Sequence, residues 1–215
     1  LFMGNGEYQG SKVTNIDHFY KMVAIAEGFP TASAETELLP ETQVLSVDSV
    51  GIRTNSYGDS HVLMRIKMSY QPNLTSYYRV TAFASHEWLD DGTGILQTFR
   101  ERIYLDYDDY MVGVDFYTWS EQALYFTDKI RTNQEAVAEF IIQSYFFTGG
   151  NVKEIEIYVS QLSSDYYMYK KSVVLHEESS DIPIFSQPVQ VFNNIEDGLG
   201  ILGTAKAYVF SIDFD

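Results

Sequence analysis

Apolar and polar side chains alternate with a period of two along most of the chain. The clearest stretch is residues 61–70, in which every second side chain is apolar: Val62, Met64, Ile66, Met68 and Tyr70. Successive side chains of a β-strand point to opposite faces of its sheet, so this pattern predicts a strand with one buried and one solvent-facing side. Residues 112–116, 154–159 and 207–214 show the same alternation.

Runs rich in β-branched and aromatic residues predict further strands, at residues 20–26, 44–53, 77–85, 99–105 and 136–147. Residues 134–142, which overlap the last run, also fit helical spacing, and the sequence leaves that choice open. Turns rich in Gly, Asn and Asp separate the runs. Many short strands with regular turns predict an all-β fold, an antiparallel β-sandwich of Ig-like or jelly-roll-like type.

One segment of the chain predicts a helix. The residues SSD at positions 163–165 offer side chains that cap a helix N-terminus. Tyr166 and Tyr169 follow at helical spacing, and the helix must end before Pro183. We therefore expect one short helix near residues 164–177.

A composition change at residues 39–41, with the sequence LPE, indicates a domain boundary. The strands before it are too few to form a stable sheet alone. We therefore expect residues 1–44 to be the C-terminal strands of an incomplete N-terminal β domain, and residues 45–215 to be the main β-sandwich. The sequence begins LFMG without a signal-peptide pattern, so we expect any export signal to lie upstream.

The chain is strongly acidic, with 30 Asp and Glu against 14 Lys and Arg and a net charge of −16. Phosphate groups are repelled by such a charge, which argues against nucleic acid and anionic membrane surfaces as partners. Cysteine is absent, which excludes a disulfide scaffold, a zinc ribbon and thiol catalysis. No apolar run approaches the ~20 residues that span a bilayer, so we expect no membrane-spanning helix in these residues.

Two motifs suggest chemistry that their surroundings do not support. The sequence GLGILG at residues 198–203 matches the dinucleotide fingerprint, but only 12 residues follow it and they predict a strand where the fingerprint needs a helix. We expect a glycine turn that leads to a strand in the interior of a sheet. The four histidines lack metal-ligand spacing, and no nucleophile motif occurs, so we expect neither a cofactor nor catalysis.

Acidic and aromatic residues provide the remaining candidate sites. Asp106, Asp108 and Asp109, with Asp115 beyond them, form a candidate calcium cluster, although a solvated acidic turn is the favoured interpretation. Calcium binding by an EF-hand is excluded, since a tyrosine occupies the position of the third ligand. Trp88 and Trp119 are candidate ligand or interface aromatics, with sheet packing as the alternative.

Several segments resemble one lipoprotein family in order and spacing. They are PIFSQPV at residues 183–189, NNI at 193–195, GLGILG at 198–203, SYYR at 76–79 and FTDK at 126–129. Together they resemble a Bacteroidetes-type outer-membrane lipoprotein family catalogued as domain of unknown function 4249. A leucine, Leu202, stands where the closing signature of that family usually has phenylalanine.

The resemblance implies a location and a set of neighbours. Such proteins are outer-membrane lipoproteins, with the lipidated cysteine upstream, and are often encoded beside TonB-dependent receptors. We therefore expect an extracytoplasmic, non-catalytic partner of a TonB-dependent nutrient receptor, with a glycan or peptide as a further ligand. Two alternatives stay open: a β-sandwich hydrolase that uses paired carboxylates from residues 106–115 or 90–91, and a structural or adhesive surface domain.

Overall fold

The computed structural model describes residues 2–4, 7–8, 19–39, 43–54, 58–69, 74–106, 113–129, 131–132, 135–180 and 189–214. Over these residues the protein consists mostly of antiparallel strands stacked in two main sheets, with one long helix on the outside, which confirms the predicted all-β sandwich. No helix of the described residues is long and apolar enough to cross a bilayer.

The strands are β1 (Phe2–Gly4), β2 (Glu7–Tyr8), β3 (Tyr20–Ala24), β4 (Ala32–Thr36), β5 (Val44–Thr54), β6 (Ser60–Ser69), β7 (Tyr77–Leu89), β8 (Leu96–Ile103), β9 (Val114–Thr118), β10 (Ala123–Thr127), β11 (Arg131–Thr132), β12 (Glu135–Gln143), β13 (Val152–Leu162) and β14 (Ala205–Asp213). The helices are α1 (Tyr145–Thr148) and α2 (Ser164–Ser180). The clearest alternating stretch forms β6, as predicted. The segment whose class the sequence left open forms β12, because pairing with β6 along its whole length decides in favour of a strand.

Two main sheets face each other. The larger has the order β14-β13-β7-β10-β9, and β8 pairs with the second half of the long strand β7. The smaller has the order β11-β12-β6-β5. Strands β1 and β2 pair with each other, as do β3 and β4, and all of these pairings are antiparallel.

The inner faces of the two main sheets share one apolar core. The smaller sheet contributes Met64, Ile66, Met68, Phe140 and Ile142, and the larger contributes Tyr78, Val80, Leu124, Ile155 and Ile157, all of them fully or almost fully buried. Burial of apolar surface stabilises a fold by ~25 cal/mol per Å². The period-two pattern of the sequence thus has its cause in this shared interior.

Helix α2 forms a third layer on the outer face of the larger sheet. Its Tyr167 is buried, with ring centroids 5.3 Å from Phe116 and 4.7 Å from Tyr77. The Ser163 hydroxyl accepts a hydrogen bond from the backbone N–H of Tyr166 at 3.4 Å, which is the cap that the sequence predicted. The helix prediction is confirmed, with an observed end at Ser180.

The glycine segment 198–203 is a loop that leads into β14, as predicted. Gly200 has φ +120°, a conformation that favours glycine. The expectation of an interior strand is wrong, however, since β14 pairs only with β13 among the described strands. One face of β14 packs on the core while Val209 on the other face is half exposed, and such alternation does not distinguish an edge strand from an inner one.

Residues 193–204, which we call the closing loop, join the β3–β4 hairpin to the sandwich. Ser33 and Glu196 exchange two backbone hydrogen bonds, of 3.1 and 2.8 Å. The Thr204 hydroxyl donates to the carbonyl of Glu37 at 3.0 Å. The hairpin is therefore held by contacts with a segment far from it in sequence. The division into domains at residue 44 stays a prediction.

Candidate functional site

A cleft of about 650 Å³ lies between strand β9 and the C-terminal half of α2, and we call it the aromatic cleft. Its lining residues are Tyr104, Asp106, Asp115, Phe116, Tyr117, Trp119, Lys171, Val174, Leu175, Glu177 and Glu178. Strand β9 is the last strand of the larger sheet, and no described strand pairs with its outer edge. Among the described residues, the cleft therefore borders the terminal strand of the larger sheet.

The alternation of β9 sends neighbouring side chains to different layers. Phe116 packs beneath α2, while Tyr117 belongs to the core between the sheets. Trp119 follows directly after the strand, in a turn closed by a 3.3 Å hydrogen bond from the N–H of Gln122 to its carbonyl. Gln122 has φ +45°, which is uncommon for a residue with a side chain. The tight turn leaves the Trp119 side chain at the rim of the cleft.

Three aromatic rings form a shelf at this rim. The ring centroid of Trp119 lies 5.1 Å from Tyr117 and 5.6 Å from Tyr104, and the two tyrosine rings are 5.5 Å apart. Contacts of this geometry hold aromatic rings in place. Trp119 nevertheless stays 75% exposed, so it is positioned by its neighbours and presented to solvent.

The hydroxyl of Tyr117 is buried and no described atom forms a hydrogen bond with it. Burial, followed by the nearby Tyr104 and Asp106, raises the pKa of Tyr117 to about 12. The phenol is therefore protonated at neutral pH. A buried hydroxyl without a partner is costly, and this one lies in the interior beneath the shelf, shielded from solvent.

Acidic side chains surround the shelf. Asp106, Asp115, Glu177 and Glu178 line the cleft together with Lys171, and the Nζ of Lys129 lies 3.8 Å from Oδ1 of Asp115. Asp115 is held in place, because its Oδ2 accepts a 2.9 Å hydrogen bond from the hydroxyl of Tyr167. The local charge is negative, which attracts cationic groups and repels anionic ones.

The structure brings together part of the predicted site. Asp106, Asp115 and Trp119 all line the aromatic cleft. Trp88 lies elsewhere, near the end of the β7–β8 hairpin, where it pairs with Gln97 and is 41% exposed. The two tryptophans thus belong to different surfaces.

The predicted calcium cluster stays untested as a whole. Asp108 and Asp109 lie outside the described residues. Among the described residues, no group of three His, Asp or Glu side chains is arranged to hold a metal ion. Asp90 forms a turn, as expected: its Oδ1 accepts hydrogen bonds from the N–H groups of Gly92 and Thr93, at 3.1 and 2.8 Å.

Sequence reasoning missed the two tyrosines of the shelf and the residues of α2. Tyr117 and Trp119 are two positions apart around the end of one strand, and this spacing was the available signal. Tyr104 and Lys171 reach the cleft from distant segments, so only the packing of sheet and helix brings them there.

A partly buried polar cluster fixes α2 to the sheet. The carboxylate of Glu121 accepts hydrogen bonds from Lys170 and from the hydroxyl of Tyr125, the latter at 2.7 Å. Arg79 approaches the same carboxylate to 3.7 Å. Burial acts to raise the pKa of Glu121, but the bonds from Lys170 and Tyr125 and the nearby cations outweigh it and lower the pKa. This carboxylate is therefore charged and structural.

Comparison with known proteins gives one match. A family model described as Domain of unknown function (DUF4249) matches residues 3–209. No curated protein matches the chain, and no solved structure matches it.

Proposed function

The chain belongs to the family described as Domain of unknown function (DUF4249), and we propose from this premise that it acts by binding, not by catalysis. Its partner in this proposal is a TonB-dependent receptor of the outer membrane. The domain is held at that membrane by a lipid anchor upstream of these residues and helps the receptor take up a nutrient. The resemblance described above supports the location and the partner.

One observation carries the binding proposal: Trp119 is positioned by two tyrosines and yet remains largely exposed. Exposed tryptophan and tyrosine side chains are the residues that most often dominate binding energy at interfaces, because they bury a large area at a small entropic cost.

The cleft fits a polypeptide segment that is basic and apolar. Four carboxylates against two lysines, Lys171 and Lys129, favour a basic segment, and the aromatic shelf favours an apolar side chain beside the basic one. The outer edge of β9, with which no described strand pairs, offers backbone groups to an extended segment. We therefore propose that an extended, basic segment of the receptor occupies the aromatic cleft.

The test is affinity purification of the full-length, lipidated protein from its native membrane in mild detergent. We expect the wild type to recover a TonB-dependent receptor and Trp119→Ala to recover at least tenfold less. Trp88→Ala is the matched control, because it removes a tryptophan outside the cleft, and it should recover wild-type amounts. Absence of a receptor from the wild-type sample, or equal recovery by Trp119→Ala, would overturn the proposal.

A hydrolase is the second candidate, because Asp106 and Asp115 line the same cleft. Two carboxylates on one cleft are the minimum for acid–base cleavage of a glycosidic bond. Turnover of a glycan that disappears in both Asp106→Asn and Asp115→Asn, but persists in Glu178→Gln, would establish this function. We expect no turnover by the wild type or by any of these three variants.

A further inference from the structure

The outer face of the larger sheet carries a second recess, next to α2 and separate from the aromatic cleft. Its volume is about 320 Å³, and we call it the arginine recess. Arg79, Thr81 and Phe83 line it from β7, Arg102 from β8, and Tyr158 and Ser160 from β13. The strand register explains this grouping, since Arg102 pairs with Phe83, Tyr158 with Thr81 and Ser160 with Arg79.

The arginine recess is locally cationic in a protein whose net charge is −16. Arg79 and Arg102 face it together with a single carboxylate, that of Glu121. That carboxylate already accepts hydrogen bonds from Lys170 and Tyr125. The two guanidinium groups therefore exceed the negative charge available to them, which favours an anionic ligand.

Both guanidinium groups have donors to spare. Arg79 donates to the hydroxyl of Tyr166 at 3.2 Å, but its Nε is buried and no described atom accepts a hydrogen bond from it. Arg102 donates to the carbonyl of Glu121 at 2.6 Å, and a guanidinium has five N–H groups. An incoming carboxylate can accept charge-assisted hydrogen bonds from Arg102, which is exposed, and from the terminal nitrogens of Arg79, whose side chain is 27% exposed.

The arginines are held in place by aromatic rings. The guanidinium carbon of Arg102 lies 5.1 Å from the ring centroid of Phe83, and that of Arg100 lies 4.1 Å from it. Arg100 is bound to Glu156 through two of its nitrogens, at 2.9 and 2.6 Å, so its charge is already matched. Phe83 thus acts as a positioning residue for the guanidinium that remains available, that of Arg102.

The rest of the lining is rich in hydroxyl groups. Thr81 and Ser160 each contribute one from the buried floor of the recess, while the hydroxyl of Tyr158 already donates to Glu156 and accepts from Arg100, both at 3.0 Å. Hydroxyls donate and accept, so such a floor suits a ligand that itself carries several hydroxyls. The volume lies at the lower end of the range of small-molecule sites, about 300–1,000 Å³.

We propose that the arginine recess binds the carboxylate and ring hydroxyls of a uronic-acid sugar. The carboxylate lies between Arg79 and Arg102, and the sugar hydroxyls meet those of Thr81 and Ser160. This proposal is independent of the partner proposed above, because the arginine recess and the aromatic cleft share no lining residue.

The test is titration of the whole chain with D-glucuronate, followed by calorimetry or by amide chemical shifts. D-Glucose, acetate and inorganic phosphate are the comparison ligands. Glucose has the ring hydroxyls without a carboxylate, acetate has a carboxylate without ring hydroxyls, and phosphate is an anion without either group. We expect glucuronate to bind at least tenfold more tightly than any of them. An acidic dipeptide provides the test for a peptide carboxylate. Equal or tighter binding of glucose, acetate, phosphate or the dipeptide would overturn the proposal.

Variants locate the site. Arg102→Gln should weaken glucuronate binding at least tenfold, while Arg53→Gln, which changes the net charge equally on the other sheet, should bind as the wild type does. Trp119→Ala should also bind as the wild type does, which separates this site from the aromatic cleft. Thermal melting verifies that Arg102→Gln folds, and Phe83→Leu offers a second variant that keeps both charges and should weaken binding. Wild-type affinity in both Arg102→Gln and Phe83→Leu would show that the recess is not the site.

Discussion

Glu121 is the residue on which the charged contacts of the outer sheet face converge. Its carboxylate meets Lys170, Tyr125 and Arg79, and its carbonyl accepts from Arg102. These contacts join α2 to the turn between β9 and β10. Glu121 itself lines the arginine recess, so the same side chain helps to form that site and to hold α2 against the sheet.

Replacement of Glu121 by glutamine should make stability less dependent on pH. The pKa of Glu121 is lower in the folded protein than its ordinary value of 4.5, so its contribution is fully present above that value and is lost as pH falls through the folded pKa. We expect Glu121→Gln to lose about 2 kcal/mol at pH 7. The difference from the wild type should shrink below about pH 4.5. Urea unfolding at several pH values measures this, with Glu154→Gln as the control. If the difference in the free energy of unfolding between the wild type and Glu121→Gln does not change with pH, the explanation is wrong.

Gly203 is needed because of close packing, not because of its backbone angles. A Cβ atom at this position would lie 2.9 Å from the Cβ of Tyr166 and 3.1 Å from the hydroxyl oxygen of Ser163, at the start of α2. We expect Gly203→Ala to destabilise the protein by about 1–3 kcal/mol. Gly150→Ala is the matched control, since a Cβ there meets nothing within 4 Å. Equal melting temperatures for the two variants would contradict this explanation.

At the level of whole elements, the sequence predicted best those elements that have one face towards solvent. The pattern of residues 61–70 predicted strand β6, and that of residues 164–177 predicted helix α2. Strand β10 gave no pattern, because all five of its residues are buried and none marks a polar face. Strand β4 was also missed, since it is short and contains alanine, serine and glutamate, which have little strand preference.

The side chain of Asn194 joins the closing loop to the start of α2. Asn194 donates from Nδ2 to Asp165 and to the carbonyl of Leu202, at 2.8 and 2.9 Å, and its Oδ1 accepts from the N–H of Leu202 at 2.8 Å. We expect Asn194→Ala to lower the free energy of unfolding by about 2–3 kcal/mol, because three hydrogen bonds are lost. Asn151→Ala, in the turn before β13, should change it little. Chemical denaturation that finds the two variants equal would exclude this role.

At the scale of the molecule, the sites could be predicted only in part. The exposed Trp119 and its acidic neighbours stood out in the sequence. The arginine recess did not, because Arg79 and Arg102 are 23 positions apart in the numbering and meet only through the pairing of β7 with β8. Sheet register, which creates such sites, depends on pairing between distant segments, and period-two alternation does not specify which strands are neighbours.

The net charge of −16 should make receptor binding sensitive to salt. Exposed charges more than a Debye length apart are screened, and that length falls from about 10 Å at 0.1 M to about 3 Å at 1 M. We expect association of a basic receptor segment with the aromatic cleft to slow at least tenfold between these concentrations, with a smaller change in dissociation. Surface plasmon resonance measures both rates. Association that does not change with salt would argue for a neutral partner segment.

The junction between the β3–β4 hairpin and the closing loop also determines how the molecule responds to force. The backbone link between them is one residue pair, Ser33 and Glu196, whereas β13 is joined to β7 along almost its whole length. A pull on the hairpin, away from the sandwich, loads a few bonds at a time, while a pull along β13 loads many in parallel. We therefore expect the hairpin to detach at a lower pulling force than the one that unfolds the two-sheet core.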